Sequence, residues 1–167
     1  RINFTLNALD RLEVRGRDSC GIQVAFRFGN PREIKKLVDK IKAADLYETF
    51  LKRCTPGDLW DRSIHISPDC LSFTYKTALI TGNLGDNTRA LRKSIRSDPL
   101  IHLVVEHAPD SQMYLSHTRW ASVGAINEAN CHPVNSFSVS QGIQDGWDFA
   151  PSRKKYPFYA TGPWTIN

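Results

Sequence analysis

The sequence of 167 residues has no apolar run of the about 18 residues that a helix needs to cross a bilayer. It also has no Cys-x-x-Cys pair, because Cys20, Cys54, Cys70 and Cys131 are scattered along the chain. This spacing argues against a zinc site and against a disulfide framework, so we expect no metal and reduced thiols in a cytoplasmic protein. A P-loop and a Gly-x-Gly-x-x-Gly pattern are both missing, which excludes the usual nucleotide-binding signatures, and we expect no cofactor.

Positive charge exceeds negative charge in this sequence, and the net charge is +5 at pH 7. Lysine and arginine gather at 32–42, 89–96 and 153–155. The first two groups fall on the polar faces of predicted amphipathic helices, where solvated charge is the simplest interpretation. Aromatic residues do not alternate with these charges, as they do in a stacking platform for bases. We therefore expect neither nucleic acid nor a membrane as a partner.

Hydrophobic periodicity predicts a mixed chain of helices and strands, which indicates the α+β class and one domain. A helix capped by Asn3 runs to Arg15, and a second is capped by Asn30, begins at Pro31 and continues to Arg53. A third helix covers 84–95. The predicted strands are 21–28, 71–75 and a pair formed by 101–105 and 112–115.

Polar and irregular residues follow the last predicted strand, from His117 to Gly124, and a second irregular stretch ends in Cys131-His132-Pro133. Loops at the ends of strands often carry binding groups, and a planar guanidinium such as that of Arg119 can hold a carboxylate by two parallel hydrogen bonds. The run therefore indicates a site for a small polar ligand. Two alternatives stay open: Arg119 pairs with an acidic side chain of the protein, and Trp120 packs in the core.

The run His117-Thr118-Arg119-Trp120-Ala121-Ser122-Val123-Gly124 resembles the glutamine-binding loop of class II glutamine amidotransferases, the N-terminal-nucleophile glutaminases. It is most similar to the loop of the glucosamine-6-phosphate synthases, which reads His-Thr-Arg-Trp-Ala-Thr-His-Gly and continues to His-Pro. The block from Leu12 to Ile22 resembles the Leu-Glu-Tyr-Arg-Gly-Tyr-Asp-Ser-Ala-Gly-Ile of that family. Ser122 keeps the hydroxyl of the usual Thr, whereas Val123 loses the polar side chain of the usual His.

The resemblance implies a four-layer α-β-β-α sandwich with a partly helical insertion. The two blocks are 96 positions apart, from Gly21 to His117, which is longer than in compact members of the family. We therefore assign 1–29 and 99–167 to the core of an incomplete amidotransferase domain and about 30–98 to the insertion. We expect the insertion to lie at the periphery, away from the glutamine pocket.

The resemblance also implies roles for individual residues. It places Arg119, Trp120, Ser122 and His132 at the substrate, with Arg119 on the α-carboxylate of glutamine. It gives Arg15, Gly16 and Asp18 a supporting role beside the nucleophile, in which Arg15 and Asp18 pair with each other or with the chain terminus. Without the resemblance, Gly16 would be read as a helix C′ residue and Asp18 as a turn residue.

The function implied is hydrolysis of glutamine to glutamate and ammonia, with transfer to fructose 6-phosphate in a C-terminal phosphosugar isomerase domain to give glucosamine 6-phosphate. The family's nucleophile is an N-terminal Cys, and an Asn-Gly pair helps to form its oxyanion hole. This sequence begins with Arg1 and contains no Asn-Gly pair, so we expect the catalytic groups to lie outside these residues. The alternatives are a different ammonia acceptor or a non-catalytic glutamine-sensing or scaffold module. A homodimer is also possible.

Overall fold

The computed structural model describes residues 1–54, 59–78, 83–122, 125–128, 130–135 and 159–160. The described helices are α1 (Ile2–Leu12), α2 (Pro31–Ala43), α3 (Tyr47–Arg53), α4 (Asp86–Arg96) and α5 (Pro99–Glu106), and a 3-10 turn, Glu13–Arg15, follows α1. The strands are β1 (Ser19–Arg27), β2 (Ile64–Ser67), β3 (Cys70–Thr77), β4 (Ser111–Arg119), β5 (Val134–Asn135) and β6 (Tyr159–Ala160). The predicted α+β class is confirmed.

Four strands form one antiparallel sheet in the order β2-β3-β1-β4, and β5 pairs with β6 separately. Side chains alternate between the two faces of a strand, so the register defines what each face carries. On one face Ile22, Val24 and Phe26 of β1 lie opposite Tyr75, Phe73 and Leu71 of β3. Helix α4 packs on β3 and β1, and α1 packs on β4, so these apolar side chains enter the hydrophobic core.

The opposite face of the same sheet is small and polar. It carries Gly21, Gln23 and Ala25 of β1, opposite Lys76, Thr74 and Ser72 of β3. Gln23, Ser72, Thr74 and Lys76 are nevertheless buried. Both faces of the two interior strands are therefore covered, but only one of them is covered by an ordinary apolar core.

Helix α2 begins as the sequence predicts, because the Asn30 side chain accepts a hydrogen bond from the Arg32 amide at 2.9 Å and Pro31 is the first helical residue. The prediction of one helix as far as Arg53 is wrong. The helix ends at Ala43, Asp45 adopts a positive φ of 57°, and α3 starts at Tyr47. A left-handed residue breaks the helical hydrogen-bond ladder, and the apolar periodicity continues across that break.

The predicted strand at 101–105 is wrong, since these residues belong to α5. Asp98 caps this helix by accepting a hydrogen bond from the Leu100 amide at 3.1 Å, and Pro99 is its first residue. A short apolar run does not distinguish a buried helix from a strand, and the capping pair decides here. The predicted Asn3 cap of α1 is also wrong, because Arg1 holds that position.

Segment 30–98 does not lie wholly at the periphery, and that expectation is wrong for β3. This strand is an interior strand of the sheet, and its Phe73 and Tyr75 are fully buried. The Tyr75 hydroxyl donates to Asp98 Oδ2 at 2.5 Å, and Arg53 contacts both Asp98 oxygens at 2.8 and 2.7 Å. The segment thus supplies a central strand and a buried ionic network that joins α3, β3 and α5.

Candidate functional site

The two sequence blocks meet at the end of the β1–β4 pair. Ser19 lies opposite Arg119 in the antiparallel register, so β4 continues to Arg119 rather than ending near Leu115 as predicted. Gly16 packs directly on this strand end, because a Cβ at residue 16 would lie 2.8 Å from the Arg119 carbonyl carbon. Only a glycine allows the backbone of the first block to approach the second so closely.

Asp18 holds the chain where it leaves β4. Its amide donates to the Arg119 carbonyl oxygen at 3.2 Å, and its Oδ2 accepts a hydrogen bond from the Ala121 amide at 2.6 Å. The carboxylate therefore fixes the turn that contains Arg119 and Trp120. The structure records no ion pair between the described side chains of Arg15 and Asp18, so the predicted contact between them is not formed, and Arg15 is exposed.

The half-buried Arg119 side chain extends toward the 125–130 loop. Its Nη1 donates to the Ala125 carbonyl oxygen at 3.2 Å, and Asn130 Nδ2 donates to the same oxygen at 3.0 Å. The backbone amide of Asn130 in turn donates a hydrogen bond to Asn127 Oδ1 at 2.9 Å. The position of the guanidinium is thus tied to a small network of amide side chains in this loop.

Trp120 and Ser122 lie beside Arg119 and face solvent. Trp120 is 70% exposed, so the alternative that it packs in the core is wrong. Ser122 is also exposed, and its amide donates to the Trp120 carbonyl oxygen at 3.0 Å. An exposed indole and hydroxyl next to a guanidinium leave their chemistry available to a ligand. Val123 and Gly124 lie outside the described residues.

The backbone of His132 packs on the interior strand β1 near its start. Its carbonyl oxygen lies against Gly21, in the space that a Cβ on residue 21 would need. The peptide bond between His132 and Pro133 is cis. The His132 ring lies 4.7 Å from that of His117, which sits opposite Gly21 on β4. Burial, the neighbouring His117, and the positive charges of Arg119 and Lys76 lower the pKa of His132 to about 4. Burial and Arg119 also lower the pKa of His117, so both rings are neutral at pH 7.

Cys131 is a buried thiol that serves the structure of the loop. Its Sγ donates to the Cys20 carbonyl oxygen at 3.2 Å, and burial raises its pKa. All four cysteines are free thiols, and burial raises the pKa of Cys54 to about 12 and of Cys70 to about 11, with Cys20 shifted upward as well. Thiolate is the reactive form, so none of these cysteines is an activated nucleophile.

Glu13 is an important residue that the sequence patterns did not single out. It is buried, and its carboxylate accepts hydrogen bonds from the amides of Gly85 and Asn87 at the N-terminus of α4. A negative charge at that end of a helix is favourable because the first amides have no intrahelical partner. The only signal was its place within the first block. Its role is to attach that block to α4.

A guanidinium can in general hold a carboxylate, and here the Arg119 side chain has an exposed indole and an exposed hydroxyl-bearing residue beside it. Within the described part of the chain, no group of three or more His, Cys, Asp or Glu residues is arranged to hold a metal ion. No described helix combines the length and apolar character needed to cross a membrane. No protein-family model matches this chain, no curated protein matches it, and no solved structure matches it.

Proposed function

We propose that this chain is part of a class II glutamine amidotransferase domain and that its full-length protein hydrolyses glutamine. The observation that carries the proposal is the junction of the two blocks at the Ser19–Arg119 pair, where Asp18 holds the Ala121 amide at 2.6 Å. Two segments that resemble the same family and lie far apart in sequence are in direct contact. This is the arrangement that a shared ligand site requires.

Arg119 would bind the α-carboxylate of glutamine through its planar guanidinium, which orients the substrate as well as holding it. Trp120 would form a wall of the pocket, and the Ser122 hydroxyl would donate to the bound substrate. His132 would shape the pocket floor from its position on Gly21. Gly16 and Asp18 would support these groups by fixing the end of β4, and Arg15 would assist from the adjoining turn.

The chemistry proposed for the full-length protein begins at an N-terminal cysteine of the mature chain. Its α-amine would accept the thiol proton while the sulfur attacks the side-chain amide carbon of glutamine. The oxyanion would be stabilised by donors such as the family's Asn-Gly pair. The C–N bond then breaks, the amine's proton leaves with ammonia, and water hydrolyses the thioester to glutamate. We propose fructose 6-phosphate as the ammonia acceptor and glucosamine 6-phosphate as the product, made in the cytoplasm.

The polar face of the main sheet supports the four-layer α-β-β-α part of the proposal. Gln23 Oε1, Thr74 Oγ1 and His117 Nδ1 are buried on this face and have no hydrogen-bond partner within the described residues. Because buried polar groups are usually hydrogen-bonded, these three atoms call for further polar partners on this face. A second sheet that packs here, with the substrate at one end, would account for them.

A non-catalytic glutamine-sensing or scaffold module is the second candidate, because the arrangement of Asp18, Ala121 and Arg119 would hold glutamine whether or not a nucleophile is supplied. Such a module would bind glutamine without turning it over.

The test is a pair of measurements on the full-length protein: glutamine binding by calorimetry and glutamate release from glutamine. Binding together with release, and loss of release after a covalent glutamine analogue reacts with the first residue, supports the enzyme. Binding without release supports the sensing module. If glutamine neither binds nor is hydrolysed, both candidates are rejected.

A further inference from the structure

The outer side of helices α1 and α4 carries the excess positive charge of this protein. The two helices pack side by side, and with their flanking residues, 1–17 and 84–97, they form the α1–α4 face. This face has eight basic and three acidic side chains, so its net charge of +5 equals that of the whole chain. The basic side chains of α4 recur at helical spacing and share one side of that helix: Arg89, Arg92, Lys93 and Arg96. Attraction for an anionic partner is therefore concentrated on this face.

Arg92 is held in place by neutral partners. Its Nη1 donates to Asn3 Oδ1, and its Nη2 donates to Asn7 Oδ1 at 2.9 Å, so two residues one turn apart on α1 fix its position. Among the described residues Arg92 forms no ion pair, whereas its neighbour Arg89 pairs with Asp86. The guanidinium of Arg92 is thus oriented, but its charge is not neutralised by the side chains that orient it.

A groove of about 330 Å³ lies between α1 and α4 and is bordered by Arg92. Val14 and Leu84 supply its apolar lining, and they are 59% and 51% exposed. Asp10 also borders the groove, but its Oδ1 already accepts a hydrogen bond from the Thr88 hydroxyl at 2.7 Å. Half of the eight large apolar side chains that are exposed in the described part of the chain lie on this face: Phe4, Leu12, Val14 and Leu84. Exposed apolar side chains that gather among charged ones are typical of an interaction surface.

We propose that the α1–α4 face docks an acidic segment of a partner protein. A bulky apolar side chain of that segment would sit in the groove between Val14 and Leu84. Carboxylates beside it would pair with Arg92 and with the exposed Lys93 and Arg96. An arginine that is already oriented loses little conformational entropy when it binds a carboxylate, so Arg92 is the favoured contact. The inference does not depend on the proposed glutaminase activity.

The composition of the face favours a protein segment over a nucleic acid or a bilayer. Phe4 is the one aromatic side chain of the face, so there is no row of aromatic residues on which bases could stack. A helix that lies on a membrane needs a continuous exposed apolar side. The apolar side of α4 is instead buried in the core through Leu91 and Ile95. Separate apolar side chains beside a groove and a basic ridge match an acidic segment with an apolar anchor.

The test is the fluorescence anisotropy of a labelled synthetic peptide, in which aspartates and glutamates flank two leucines, titrated with the full-length protein. We expect saturable binding with a Kd on the order of 10 μM. The same peptide with serines in place of the leucines should bind at least about tenfold more weakly. Amide hydrogen exchange with and without the peptide locates the contact, and we expect protection in 1–17 and 84–97.

Two variants test the two parts of the surface. Arg92→Gln removes the oriented charge and Leu84→Ser removes part of the apolar lining, and each should weaken peptide binding at least about fivefold. Lys35→Gln and Val105→Ser are the matched controls, because both residues are exposed on other helices, and they should leave binding unchanged. Thermal melting checks that each variant folds, and if one of the test variants does not, the other decides.

An equal loss of binding in Arg92→Gln and Lys35→Gln would show general attraction to basic side chains and would overturn the inference. Absence of peptide binding, or equal binding of the serine peptide, also overturns it. Duplex DNA and vesicles of phosphatidylcholine and phosphatidylserine are titrated in parallel. Tighter binding of either one, lost in Arg92→Gln, would assign the face to that partner instead. None of these measurements involves glutamine, so their failure is distinct from failure of the proposed function.

Discussion

The His132 carbonyl oxygen lies against Gly21, so close that a Cβ on residue 21 would be only 2.1 Å from it. The contact places the loop before Pro133 near the start of β1, and it brings the His132 ring to the His117 ring on β4. The Tyr75 carbonyl oxygen is 3.1 Å from the same Cβ position. Backbone atoms of two segments therefore close this position, and neither can move as a flexible side chain would.

Gly21→Ala is expected to destabilise the protein by about 2–3 kcal/mol, since forcing a methyl group into a closed position requires the backbone to shift. The measurement is the free energy of unfolding in urea. Gly29→Ala is the matched control, because the nearest atom to its new Cβ is Oδ2 of the exposed Asp110 side chain, at 2.9 Å, which can rotate away at the cost of its hydrogen bond from the Gly29 amide. Equal losses in the two variants would contradict the role of the His132 carbonyl.

Arg119→Lys in the full-length protein is expected to raise the KM for glutamine strongly while leaving the fold intact. Lysine keeps the charge but loses the two-pronged hydrogen bond, which is worth about 1.5–3 kcal/mol when one partner is charged. Steady-state glutamate release measures the effect, and Arg17→Lys is the control because Arg17 is an exposed arginine of the neighbouring block. An unchanged KM would show that Arg119 is purely structural.

Asp98→Ala is expected to cost about 3–5 kcal/mol of stability, because it leaves the buried Arg53 guanidinium without its carboxylate partner. Asp98 has no solvent exposure and also receives the Tyr75 hydroxyl. Although burial opposes its ionisation, the hydrogen bonds from Arg53 and Tyr75 lower its pKa. Urea unfolding measures the loss, and the exposed Asp39→Ala provides the baseline. A loss no larger than that of Asp39→Ala would refute the contribution of the network.

Stability is expected to decrease as the pH falls from about 6.5 toward 4. Burial lowers the pKa of His65 to about 4. Burial, together with the neighbouring His117, Arg119 and Lys76, lowers the pKa of His132 to about 4 as well. The unfolded chain takes up protons at these residues near their ordinary value of 6.5, while the folded protein does so only near 4. The unfolded state therefore binds more protons throughout this window, and acidification favours it.

The expected loss across this window is on the order of 3 kcal/mol, because each pKa lowered from 6.5 to about 4 is worth about 3 kcal/mol and the solvent that reaches both incompletely buried rings reduces the sum. Melting temperatures of the unmodified protein and of His65→Gln and His132→Asn, recorded between pH 7 and pH 4, measure it. Each variant should show a shallower pH dependence, whereas the exposed His102→Asn should not. A pH dependence that is the same in all four proteins would assign the effect to other groups.

Local chemistry in the sequence was sufficient to predict features that depend on near neighbours. Asn30 and Pro31 predicted the start of α2 because a cap and a fixed φ act within one turn of helix. The alternation at Leu71, Phe73 and Tyr75 predicted β3, since one face of that strand is apolar. The α+β class followed from the same periodicities. Local signals misled where an apolar run was short, as at 101–105, which is helix α5.

The long-range contacts were decided only by the tertiary structure. The sequence gives no sign that Glu13 would reach the N-terminus of α4, or that Asp61 would bond the Lys76 amide where β2 stops. The sequence indicated two polar blocks, but antiparallel pairing of β1 with β4 places Ser19 opposite Arg119 and Asp18 on the Ala121 amide. Register depends on every pair along two strands at once, so no single motif determines it.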